Sequence, residues 1–151
     1  MIKVGHQFNT RRYRVYILAF LALDTLAVGA GMGVPIFAIL FGFVVGWILP
    51  KILDFSSLEI RGMLERLITW ACLTAGFTFL QMIILWGRTI TLLSDPHSDL
   101  VNFGIPLILF DPRLSFIGWL VLMIIISPFL QLIATVFSSN VSLMFSQKAR
   151  S

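Results

Sequence analysis

Residues 14 to 50 are almost uninterrupted hydrophobic sequence, RVYILAFLALDTLAVGAGMGVPIFAILFGFVVGWILP, with one acid, Asp24, and a glycine cluster, Gly29, Gly31 and Gly33. Arg11, Arg12 and Arg14 stand at one end and Lys51 at the other, which is the pattern of a membrane segment rather than a soluble core. One helix over this run would be about 55 Å long, against a hydrocarbon layer of about 30 Å, so two helices are expected. Glycines accept the dihedrals of a tight turn, and Pro35 is suited to the first position of a helix, which places the spans at 14–31 and 35–50. From residue 51 to 66 the pattern turns amphipathic. Ser56 and Glu59 have capping-box spacing, and Leu58, Ile60, Met63, Leu64 and Leu67 oppose Glu59, Arg61, Glu65 and Arg66, predicting a short interfacial helix.

A third apolar stretch covers 67–87 and a fourth 114–137, the latter preceded by Asp111 and Pro112 as N-cap and first-turn residues. Pro128 lies inside it and should free the carbonyl of Ile124 and kink the helix. Between them, residues 88–113 form a long connection whose apolar piece, FGIPLILF, is too short to span and should lie at the interface or re-enter. This connection is also placed to cover the tip of the glycine hairpin. The expected fold is therefore an all-α membrane protein, a four-transmembrane-helix bundle forming one domain over residues 1–151.

Charge selects the topology. With four spans and a cytoplasmic start, nine of the eleven basic residues fall inside and only Arg88 and Arg113 outside, whereas three spans split them six to five. Both termini are then cytoplasmic, in a plasma or inner membrane. Tyr13, Tyr16, Trp47 and Trp70 fall at inner ends, and Trp86 and Trp119 at outer ends. Composition agrees, with 58% hydrophobic and 12% charged residues. The basic leader suits anionic lipid headgroups rather than nucleic acid. A cleavable signal peptide is disfavoured by Asp24 and by the length of the run. The single cysteine, Cys72, allows no internal disulfide.

Asp24 is the sharpest chemical signal, since it lies ten residues beyond Arg14, about 15 Å down a helix and close to mid-bilayer. An acid at that depth must be neutral, paired or wet, and by default marks a functional site. Thr74, Thr78 and Gln81 form a polar stripe on the third span, and Ser127, Gln131 and Thr135 another on the fourth. Together with Asp24 they make a candidate proton relay or cation path, and each is equally suited to bind helices together. Ala27, Gly29, Gly31, Gly33, Gly42 and Gly46 have small-xxx-small spacing, read first as packing between the two hairpin arms and second as a subunit contact. Asp95, His97 and Asp99 alternate, which in an extended loop would point them to one side as weak metal candidates, although Ser94-Asp95-Pro96 is an ordinary turn or helix-start sequence.

No motif for a nucleotide, haem or other cofactor is present, and no enzyme is expected. In outline, four short spans with an acid in the first are similar to the small multidrug transporters, a likeness of layout without a shared motif, and no family is assigned from it. The expected function is a small, oligomeric transporter or ion-conducting subunit using Asp24. The alternative is a non-enzymatic accessory subunit of a larger membrane complex. An outer-face enzyme would need Asp95, His97 and Asp99 to converge on a pocket.

Overall fold

The computed structural model describes residues 10–31, 34–53, 60–105 and 110–148. Among these the chain is helical, without strands, and builds four helical rods. Helix α1 is Thr10–Gly31, α2 is Pro35–Ile52 and α3 is Ile60–Trp86, which a 3-10 stretch, Gly87–Leu93, prolongs. The fourth rod is α4, Pro112–Val121, a π-helical turn, Leu122–Ile126, and α5, Ser127–Lys148. Three of the rods are long and apolar enough to cross a membrane: Pro35–Ile52, Ile60–Leu93 and Pro112–Ser146. Helix α1 is the more polar one, with Arg14 near its start and Asp24 in its second half.

Burial is inverted relative to a soluble protein. Leucine, isoleucine, valine and phenylalanine side chains stand exposed along every rod, while Asp24, Thr78, Gln131, Thr135 and Ser139 are almost wholly enclosed. Water would not tolerate so much exposed apolar surface, whereas lipid demands it, and polar groups excluded from lipid collect inside.

The tightest seam lies between α2 and α5. On α2 the buried residues Ala38, Gly42, Gly46 and Leu49 recur at helical spacing and make a strip of small side chains. A Cβ at Gly42 would stand 2.6 Å from the Gln131 carbonyl oxygen, and one at Gly46 would stand 2.9 Å from the Ser138 Cβ and collide with the Thr135 carbonyl. This closeness lets α5 serines reach α2's backbone: Ser138 donates to the Phe43 carbonyl at 2.8 Å and Ser142 to the Trp47 carbonyl at 3.1 Å. The small-residue strip thus serves α5, not the α1 arm expected from the sequence. Near Gly29 an added Cβ would meet nothing within 4 Å among the described residues. Gly31 closes α1, and Gly33 lies outside the described residues.

Two further expectations are revised. Residues 60–66 are the first turns of α3, with an exposed Arg61–Glu65 pair at 3.1 Å, rather than a separate surface helix. Ser56 and Glu59 lie outside the described residues, as does the Pro106 segment of the outer connection. The last helix runs beyond the apolar stretch that ends at residue 137 and continues to Lys148, as its tail allows. The outer connection packs Leu100 on Phe116 and Leu120 of α4, beside Trp86, so its described part covers α3 and α4.

Asp111 caps α4 as its sequence implies, its Oδ1 accepting from the Arg113 and Leu114 amides at 2.7 and 3.3 Å, with Pro112 in the first turn. Asp111→Ala is expected to lower stability by about 1 kcal/mol, read as a shift of the thermal unfolding midpoint in detergent.

Pro128 does what a proline in a helix must, by a π turn. The Ser127 amide and hydroxyl both donate to the Leu122 carbonyl, the hydroxyl at 3.1 Å, and Pro128 has no N–H to give.

Candidate functional site

Asp24 sits on the inward face of α1, 1% exposed. On α3 the buried positions Leu67, Ala71, Thr74, Ala75, Thr78 and Met82 follow the helical period and bring Thr78 directly against it. The Thr78 Oγ1 lies 3.0 Å from Asp24 Oδ1 and 3.0 Å from Oδ2, and 3.2 Å from the Thr74 carbonyl. One hydroxyl hydrogen serves all three acceptors. A carboxylate at Asp24 would take that hydrogen. A carboxylic acid would instead donate its own to Thr78 Oγ1, releasing the Thr78 hydrogen to Thr74. The geometry therefore accommodates both charge states of Asp24 without rearrangement.

Gln131 approaches from α5, fully enclosed, and lines with Asp24 and Thr78 a chamber of about 10 Å³. The Gln131 amide lies against the Asp24 carboxyl, yet neither Oε1 nor Nε2 makes a hydrogen bond of 3.5 Å or less to a described residue. Apolar side chains make up the rest of its wall, among them Ala27, Phe37, Ala38 and Met82. A separate, largely apolar groove of about 290 Å³ lies between α1, α2 and α3, with Tyr16, Trp70 and Thr74 among its lining residues.

Other residues of the two stripes serve their surroundings differently. Thr74 donates to the Ala71 carbonyl at 2.9 Å and Thr135 to the Gln131 carbonyl at 2.8 Å, each within its own helix. Ser127 belongs to the π turn. Gln81 ties α3 to α1, its Nε2 donating to Thr25 Oγ1 at 2.8 Å, and Thr25 passes its own hydrogen to the Leu21 carbonyl at 2.7 Å. Asp24, Thr78 and Gln131 thus converge, Gln81 forms a second tie, and the rest of the stripes bond locally.

Thr25 was not anticipated, although its place beside Asp24 was a signal. Ser138, Ser139 and Ser142 were also missed. The four-residue spacing of Ser127, Gln131 and Thr135 continues to Ser139, and would have led there had the span not been ended at residue 137.

The loop acids are engaged in turns rather than extended. Asp95 Oδ1 accepts from the His97 amide at 2.9 Å, and Ser98 donates to the Asp95 carbonyl at 2.8 Å. Asp99 accepts from the Asn102 side chain at 2.7 Å and from its backbone at 3.2 Å, which holds the Asp99 carboxyl below the ordinary carboxylate range. Among the described residues no three His, Cys, Asp or Glu side chains are grouped to hold a metal. The alternate spacing of Asp95, His97 and Asp99 loses its meaning once the chain turns at Pro96.

Fold and site together define a class: an all-helical chain with three helices fit to cross a membrane, the build of a multi-pass membrane protein. No known protein family, curated protein or solved structure matches it.

Proposed function

We propose that the chain is a four-span membrane protein, its first two helices joined as a glycine-turned hairpin and both termini cytoplasmic, that moves protons or a cation by way of Asp24. Four spans place nine of the eleven basic residues on one side, and the ends of α1 at Gly31 and α2 at Pro35 leave room only for a short turn. The observation that carries the functional reading is the Asp24 carboxyl enclosed between Thr78 and Gln131, with no cation among the residues lining its chamber. An acid kept in hydrocarbon without a counter-ion costs at least about 2.5 kcal/mol if ionised. Placing such a group on partners that suit either charge state is useful to a site that gains and loses charge, and of no use to a fixed tie.

The experiment is reconstitution of the full chain in liposomes, with an internal pH dye and an imposed membrane potential. The reading expects flux above that of empty vesicles. Absence of flux for protons, sodium and potassium alike would favour the accessory-subunit reading, in which the lipid-facing surface binds a partner.

A further inference from the structure

We infer that the chamber between Asp24, Thr78 and Gln131 binds one water molecule, and that the species exchanged at Asp24 is the proton, to the exclusion of metal cations. The inference rests on the proposed role of Asp24 and names its substrate. Size is the first argument. A chamber of about 10 Å³ matches the space that one water centre occupies, and a buried water needs two to four polar partners. The wall supplies three: the Asp24 carboxyl, the Thr78 hydroxyl and the Gln131 amide.

The second argument is the Gln131 side chain, 0% exposed and set against the Asp24 carboxyl, with neither amide atom making a hydrogen bond of 3.5 Å or less to a described residue. A buried amide left so would cost several kilocalories per mole, and a water in the adjoining chamber relieves it by donating to Oε1 or accepting from Nε2. Amide and hydroxyl each donate and accept, so the water is held whether Asp24 is charged or neutral.

Metal cations fit poorly. A hard cation stripped of water takes about six oxygen ligands, whereas the lining side chains offer four oxygens, two from Asp24 and one each from Thr78 and Gln131. A proton needs no such shell. It arrives on the water as hydronium, one O–H bond of which breaks as the bond to an Asp24 carboxylate oxygen forms, leaving water and a neutral acid; the reverse step returns it. Among the residues lining the chamber from α1, α2, α3 and α5, Asp24 is the only titratable one, so no neighbour competes for the proton.

The test uses the full chain in liposomes, with flux read by the internal pH dye in buffers whose metal cations are replaced by an organic cation, the potential being set by a chloride gradient. Flux unchanged by removing sodium and potassium is expected. Gln131→Met, close in size but unable to hold the water, is expected to lower flux more than about tenfold while Thr78 keeps Asp24 in place. Flux that depends on Asp24 but stops without sodium or potassium would overturn this inference and leave the role of Asp24 standing. Wild-type flux in a folded Gln131→Met protein would also overturn it. Should that variant not fold, the cation-replacement result on the unmodified chain decides alone. Flux indifferent to Asp24→Asn would instead remove the underlying reading.

Discussion

Asp24→Asn is expected to lower proton flux through the reconstituted protein by about 100-fold or more while the fold survives, because it removes a proton carrier without removing a hydrogen-bonding group. The asparagine amide has the size of the carboxyl, and its oxygen still accepts from the Thr78 hydroxyl that now lies 3.0 Å away. What disappears is the ability to alternate between acid and carboxylate. Asp24→Leu makes the comparison, since it abolishes the tie as well and leaves Thr78 with only the Thr74 carbonyl, 3.2 Å off. If the contact were only a tie between helices, Asn would behave as wild type and Leu alone would be damaged. Flux and thermal unfolding midpoint measured on both variants separate these cases.

Gly46→Ala is expected to be the most damaging single methyl group that can be added to the described helices. Its Cβ would meet the Thr135 carbonyl, a backbone atom that moves only if α5 moves, and the Ser138 Cβ at 2.9 Å. Overpacking of this kind typically costs about 1–3 kcal/mol, and an obstacle that is backbone puts the cost at about 3 kcal/mol. Forcing the helices apart also stretches the Ser138 and Ser142 hydrogen bonds to α2, each worth roughly 0.6–2 kcal/mol in a membrane. Gly29→Ala provides the contrast. It meets open space and gains up to about 1 kcal/mol of helix propensity, so its unfolding midpoint should equal or exceed that of wild type.

These two glycines show where sequence reasoning stops. Both stand in GxxxG spacing, and period alone cannot say which one faces another helix. Periodicity identifies the buried face of α2 through Ala38, Gly42 and Gly46, yet the partner proved to be α5, distant in the chain, rather than the adjacent α1. Partner choice depends on shape, and the matching strip on α5 was obscured because Ser138, Ser139 and Ser142 look like a polar tail. Inside a membrane protein those serines are core residues, since lipid rejects them and α2's carbonyls accept the hydrogens of Ser138 and Ser142.

The centre of the molecule was easier to read. Asp24 stood out as the one acid in an apolar run, Thr78 by its stripe's spacing and its place near mid-span, and Gln131 by spacing alone, whereas Ser127, the residue of its stripe nearest mid-span, belongs to the π turn. The chamber between them has no sequence signature, because it arises from what neighbouring apolar side chains leave unfilled. In the outer connection the turn sequence prevails over the alternating acids. Ser94-Asp95-Pro96 carries turn chemistry, and local hydrogen bonds to Asp95 outweighed the extended conformation that alternation presumes.

Everything proposed for Asp24 requires that α1 cross the bilayer and that α2 bring the chain back. Single cysteines at Thr10, Ile60 and His97, each in a Cys72→Ser background and probed with a membrane-impermeant thiol reagent in sealed vesicles, measure this directly. The account predicts that positions 10 and 60 label from the same side and position 97 from the other. Labelling of positions 10 and 60 from opposite sides would take α1 out of the membrane and Asp24 out of its interior.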